Sequence, residues 1–333
     1  MGSWEIFRHH SKPIILDVTL RDGGYLNNWN FSVQHIHTAI TAASGMGADI
    51  IEVGYLDDHP GLPLAASCPS RFLREIDQQA GSSMIAGMIR PSVKNPQLVL
   101  KRRKEFLDLV RIPVDLRNTA PAKQLSIICE ENDVPFSFNL TSVSCYSLSD
   151  IEEAVKFLNE NAAMIYIADS RGALKPEDVS SIVTAIKKQW TGAVGYHAHN
   201  NLGLAKENTE AAIESGCVLI DGSVSGIGLG GRNLNLKTAV EIAGEYRNDL
   251  PDHDTDYDVS ELALGVAEPG EEMHLYYLSG EKNIKMEWVQ LMIEQLGIST
   301  TTGILNKIPR CSLFDYNELK PHIEKKYWDL LQW

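Results

Sequence analysis

Gly195-Tyr196-His197-Ala198-His199-Asn200-Asn201-Leu202-Gly203 follows an apolar lead-in and opens onto an amphipathic run at 205–215. An apolar run, a polar turn and then helical periodicity read as strand, turn and helix. Residues two apart on a strand share a face, so His197 and His199 project together at the strand end. Two imidazoles so placed can grip one divalent metal ion. A polar strand end with solvated histidines is the other reading, and the surrounding chain must decide between them. Asn200 and Asn201 offer amide hydrogen bonds, and Gly203 a tight turn into the helix.

Working outward, the same alternation recurs. Buried-strand patterns stand at 14–18, 49–53, 83–88, 107–112, 134–140, 163–168, 193–196 and 218–221. Helical patterns stand at 32–46, 70–79, 96–104, 120–131, 148–159, 175–189, 205–215 and 235–246. Eight strand–helix pairs over roughly 235 residues imply a parallel sheet, and match a (β/α)8 TIM barrel better than an open doubly wound sheet. Such barrels place chemistry where strands end and loops begin, which is the context the histidines need. The expected organisation is a catalytic barrel at 14–247, an acidic linker at 248–258 and a helical C-terminal extension at 259–333. In the extension, 286–296 is amphipathic, and Trp and Leu at helical spacing near the end read as packing that covers the barrel mouth or builds an interface.

Composition bounds the function. The chain has 333 residues, 44% apolar and 22% charged, as in ordinary globular enzymes. A formal net charge of −14 opposes nucleic acid or an anionic membrane as the main partner, but not a small anionic substrate held by a local cation. Five scattered cysteines without a Cys-x-x-Cys pattern read as reduced thiols. Residues 1–12 carry no apolar signal core, and Ile6 breaks a myristoylation pattern begun by Met1-Gly2. No apolar run reaches membrane-spanning length, so a cytoplasmic location is expected.

The strand ends supply candidates. Arg21 and Asp22, followed by Gly23-Gly24, end the first strand: Asp22 as a hard oxygen ligand, Arg21 as a fixed positive fork for a carboxylate or enolate. A surface ion pair in a turn is the alternative. Glu52 ends the second strand, and is either a substrate-binding carboxylate or a structural partner of Arg21. Asp169 and Ser170 end the sixth, either binding substrate or bonding locally in a turn. Asn139 and Arg90 are expected to support the site. The loop Gly226-Ile227-Gly228-Leu229-Gly230-Gly231-Arg232-Asn233 has the wrong spacing and place for dinucleotide binding. It suits close backbone approach over the mouth, with Asn233 a weak oxygen ligand.

Together these stretches resemble the metal-dependent aldolase, lyase and synthase family built on a (β/α)8 barrel, over about 14–246. The resemblance rests on Asp17-x-Thr19-Leu20-Arg21-Asp22-Gly23, on His197-x-His199-Asn200-Asn201-x-Gly203, and on Gly226-Ile227-Gly228 through Asn233. It implies that Asp22, His197 and His199 hold a divalent metal, that Asn233 lies near or joins it, and that Arg21 polarises the substrate carbonyl or enolate. The chain looks most like the 4-hydroxy-2-oxoacid aldolases, since Tyr166-Ile167-Ala168-Asp169-Ser170-x-Gly172-Ala173 resembles their carboxylate-contacting segment. Two departures stand out: Tyr25 occupies the position of their acid/base His, and Gly231-Arg232-Asn233 stands where Ala-Gly-Asn is common.

The expected reaction is retro-aldol cleavage of a 4-hydroxy-2-oxoacid to pyruvate and an aldehyde, or the reverse, with Mn2+ or Mg2+ favoured over Zn2+ or Co2+. Tyr25 is the candidate proton carrier, provided a nearby cation lowers its pKa; His59 in the long second loop is a further candidate. An acyl-CoA/2-oxoacid condensing synthase is the enzyme alternative, and a non-catalytic partner subunit the other. A homo-oligomer such as a dimer is expected. Some family aldolases associate with an acylating aldehyde dehydrogenase, but this tail does not carry that partner over.

Overall fold

The computed structural model describes residues 12–158, 160–247, 257, 259, 262 and 270–331. Eight parallel strands close into one barrel in chain order, β1 pairing with β8 from Ile14↔Leu219 to Asp17↔Gly222. They are β1 (Ile14–Asp17), β2 (Ile50–Tyr55), β3 (Met84–Met88), β4 (Leu109–Val114), β5 (Phe136–Leu140), β6 (Met164–Asp169), β7 (Ala193–Ala198) and β8 (Leu219–Gly222). The helices that follow them are α1 (Val33–Gly45), α2 (Ser70–Gln79), α3 (Pro96–Arg103), α4 (Ala120–Glu131), α5 (Leu148–Lys156), α6 (Pro176–Gln189), α7 (Ala205–Glu214) and α8 (Leu236–Arg247). Local signals account for several starts. Ser147 closes a capping box with Asp150 at α5, and Pro176 opens α6 where its missing N–H costs nothing.

Strand alternation divides the interior from the outer core. Ile51, Val53, Val110, Ile112, Ile165, Ile167 and Ile220 face the helices. Ile14, Leu16, Ile50, Ala86, Leu109, Met164 and Leu219 fill the inside at one end. Two residues further along, the same inward positions carry Glu52, Arg111, Tyr166, His197 and Asp221, all buried. The barrel is therefore apolar at its floor and charged one layer above it.

Three expectations need correction. β2 runs on to Tyr55, so Glu52 lies inside the strand rather than at its end. The first strand stops at Asp17, so Arg21 and Asp22 belong to a helical turn, Thr19–Asp22, rather than to the strand end. The long second loop contains a short helix, Leu64–Ser67, tied down by Arg103, which donates to the carbonyls of Cys68 (2.7 Å), Asp57 (3.0 Å) and Ser67 (3.1 Å).

Beyond the barrel, α9 (Glu271–Lys282), α10 (Met286–Leu296) and α11 (Ile298–Lys307) bury their own apolar cluster around Leu275, Val289, Met292 and Leu305. Leu229 of the Gly-rich loop joins that cluster, and Tyr25 packs against it. Asn201 donates to the Tyr276 carbonyl (3.1 Å) and Ser144 to Asn283 (2.7 Å), so these helices sit over the ends of the strands. Of the expected acidic linker at 248–258, all but Tyr257 lies outside the described residues. No helix among the described residues is long and apolar enough to cross a membrane.

Gly54 marks a register shift between β2 and β3, at φ 141°. A Cβ there would stand 1.9 Å from the Ala65 carbonyl oxygen. Gly54→Ala is expected to lower stability by about 3 kcal/mol through backbone strain and clash. Urea unfolding tests it: an unchanged midpoint would show that the bulge does not pin the loop.

Candidate metal centre

Asp22, His197 and His199 are buried and present ligand atoms within 4.8 Å of one another. Each arrives from a different constraint. The Thr19–Asp22 turn, held by the Trp29 indole donating to the Arg21 carbonyl (2.9 Å), lifts Asp22 over the end of β1. Inward parity on β7 delivers His197, and His199 follows just past the strand. The Gly-rich loop folds back across β7, pairing Asn233 with His199 in an isolated antiparallel bridge. Gly228 permits that approach: a Cβ would stand 2.3 Å from Asn233 Nδ2 and 2.8 Å from Asp22 Oδ2.

An ionic chain supports the donors from beneath. Arg21 donates from NH1 to Asp22 Oδ1 (2.5 Å) and from Nε to Glu52 Oε2 (2.8 Å). Arg111 donates to the same Glu52 oxygen (2.8 Å) and to Asp221 Oδ2 (2.7 Å), which also meets His197 Nδ1 at 3.0 Å. Arg111 lies over the Tyr166 ring at 4.2 Å. With its amide oriented to satisfy its surroundings, Asn139 accepts from Arg111 Nε at 3.0 Å.

The electrostatics follow. Burial alone would raise Asp22; Arg21, His199, His197 and the Asn233 hydrogen bond outweigh it and hold the carboxyl well below its usual range. Burial drives His199 down to about 4 against the pull of Asp22, so its imidazole is neutral at pH 7. Burial opposes ionisation of Asp221, but Arg111 and His197 keep it low. Two guanidinium groups against three carboxylates leave this buried cluster with one net negative charge. The Asp221 contact places the His197 proton on Nδ1 and bares the Nε2 lone pair, 3.3 Å from His199 Nε2. Asn233 Nδ2 donates to Asp22 Oδ2 (2.8 Å), while its Oδ1 is buried with no partner. A net negative set of two imidazoles, one carboxylate and one orphaned amide oxygen fits a divalent cation.

Asp22, His197 and His199 line one end of a cavity of about 250 Å³, and Asn233 stands behind them outside the lining. Arg21, Tyr25, Asn139 and Ser170 share the lining; Glu52 and Asp169 do not. Glu52 is the structural partner of two arginines. Asp169 falls on the outward phase of β6, where it accepts from Ala173 (3.0 Å) and Leu174 (3.1 Å) N–H groups. Ser170 Oγ accepts from the Ser142 N–H at 3.0 Å. Tyr25 lies in the cavity wall beside Tyr55. Burial and then Tyr55, whose hydroxyl is 2.8 Å away, push its phenol well above the ordinary value, and Arg21 and Arg90 do not reverse this. Arg90 braces Tyr55 from 3.4 Å over the ring, while His59 lines a separate surface cleft. Sequence reading missed Arg111 and Asp221, although an isolated charge at an inward position of an apolar strand marks both. It also missed Arg171, Lys285 and Glu287, which line the cavity.

The HMGL-like family model matches residues 120–264. A 4-hydroxy-2-oxovalerate aldolase of Carboxydothermus hydrogenoformans is 30% identical, over 68% of this chain and 69% of its own. Another, of Geobacillus genomosp. 3, is 28% identical over the same shares. The crystal structure of the N-terminal domain of a candidate aldolase from Bacteroides vulgatus superposes with a TM-score of 0.67 at 26% identity, covering 82% of this chain and 94% of that one.

Asp221→Asn removes the charge that orients His197. It is expected to weaken Mn2+ binding about 10- to 100-fold, read by EPR of free Mn2+ beside a circular-dichroism check of folding. Unchanged affinity in a folded variant would show that the Asp221 contact does not tune His197.

Proposed function

This chain belongs to the HMGL-like family, and from that membership we propose that it is a metal-dependent aldolase cleaving a 4-hydroxy-2-oxoacid to pyruvate and an aldehyde, or joining them. The observation that carries the reading is Arg21 standing beside the Asp22–His197–His199 cluster in one cavity. Asp22, His197, His199 and Asn233 Oδ1 are the groups to hold the ion, with Mn2+ or Mg2+ favoured by the mixed oxygen and nitrogen set. Once bound, a divalent ion supplies Lewis acidity and positive charge for the oxoacid's carboxylate and keto oxygens.

The chain's own residues do the rest. Arg21 spends Nε and one NH1 hydrogen on Glu52 and Asp22, and the carboxylates keep it charged despite burial. Its remaining N–H groups are the donors for the oxygen that becomes negative as the C3–C4 bond breaks. Because the ionic chain fixes Arg21 beforehand, little reorganisation accompanies that charge. Tyr25, its hydroxyl beside that of Tyr55 in the cavity wall, is the group to hydrogen-bond a substrate oxygen and to carry the proton exchanged with the 4-hydroxyl. Asn139 and Ser170 contact the substrate's polar atoms from the β5 and β6 ends. A cavity of about 250 Å³ suits a small oxoacid. Free cysteines agree with a cytosolic setting.

Deuterium exchange into the pyruvate methyl group in D2O tests the reading. Mn2+-restored protein should exchange, and Arg21→Ala should lose roughly 100- to 1,000-fold of the rate. His199→Ala should lose the metal dependence. Absence of exchange in the metal-loaded wild type, or wild-type rates in folded Arg21→Ala, would overturn it.

A further inference from the structure

The cavity has two chemically different ends. One is the donor cluster. The other is closed by the C-terminal extension, which sends Lys285, Met286 and Glu287 into the lining at the start of α10. Beside them lies Arg171 of the β6–α6 loop, fully buried. Its guanidinium donates to the carbonyls of Asn283 and Leu313, both at 2.5 Å, and its Nε has no partner. Lys285 Nζ donates to the Phe314 carbonyl at 2.7 Å. Among the described residues neither cation is in a salt bridge, whereas nearby Arg117 is taken up by Asp115 at 2.7 Å. Glu287 is the one carboxylate in the lining at this end, against two cations.

A buried guanidinium bonded only to neutral carbonyls is an incomplete arrangement, since buried charges ordinarily find counter-charges. The start of the eleven-residue α10 adds positive potential at the same place. Thr141 and Ser142 stand along the adjoining wall. This end is built for an anion, and the oxoacid's own carboxylate is already accounted for at the metal end.

We propose that Lys285 and Arg171 form a second anion subsite, and that the preferred substrate is a 4-hydroxy-2-oxoacid bearing a further carboxylate on the half released as the aldehyde. This rests on the aldolase reading above. The reaction balances without a co-reactant: the 4-hydroxyl loses its proton, C3–C4 breaks, its electron pair passes into the enolate, and protonation of C3 gives pyruvate beside an aldehyde acid. The extension then sets specificity as well as closing the mouth.

The test uses the full chain with Mn2+ in the aldol direction, pairing pyruvate with succinic semialdehyde, butanal or glyceraldehyde 3-phosphate, with pyruvate exchange measured in parallel. The carboxylated aldehyde should exceed the neutral one in kcat/KM by about 10- to 100-fold. Lys285→Met should collapse that ratio mainly through KM, and Lys285→Arg should retain it. Exchange with equal or greater use of butanal would overturn the subsite while leaving the aldolase reading intact. Preference for the phosphorylated aldehyde would overturn the carboxylate assignment. Loss of exchange in the wild type would overturn both.

Discussion

Four side chains inside the barrel, Arg21, Glu52, Arg111 and Asp221, form one unbroken line of buried ionic contacts, and the hydrogen bond between Asp221 and His197 extends it to the donor cluster. Charges removed from water are tolerated only when paired and hydrogen-bonded, and removing one member strands its neighbours at a cost of about 3–5 kcal/mol. The line therefore acts as a unit. It crosses from the β1 turn through β2, β4 and β8 to β7, so the strands that carry the site are held in mutual register by the charges as well as by backbone bonds. Arg111 is the hinge of this arrangement, fully buried and touching Glu52, Asp221, Asn139 and the Tyr166 ring.

That line also explains why the donor end has the character it does. Glu52 and Asp221 occupy the arginines from below, which leaves Asp22 and the two imidazoles free to converge above. Asp221 sets the tautomer of His197; burial keeps His199 neutral. A donor cluster of net negative charge suits a cation, and Arg21 is fixed beside it. The stability of the barrel and the electrostatics of the site are one set of contacts.

The opposite end of the cavity is assembled differently. Its groups come from a loop and from helices that pack over the mouth, and they bond to backbone carbonyls rather than to carboxylates. Tyr25 lines the same cavity, packed against the extension's apolar cluster and hydrogen-bonded to Tyr55. Its raised pKa comes from this burial.

Much of the molecule is legible from the chain alone. Alternating apolar runs and amphipathic segments specify eight β/α units, because strand and helix periodicities are local properties of sequence. The i, i+2 spacing of His197 and His199 and the Arg21-Asp22 pair carry the centre for the same reason. Inward parity also foretells Arg111 and Asp221, charges set two residues beyond apolar inward positions, although only the closed barrel shows that they meet. Parity equally separates Asn139, which faces the cavity, from Asp169, which does not. Nothing local marks Arg171, Lys285 and Glu287 as neighbours, or gives Tyr25 its buried contact with Tyr55. Those depend on where the extension docks and on how much water it excludes, and burial and long-range proximity are properties of the packed structure, not of any stretch of sequence.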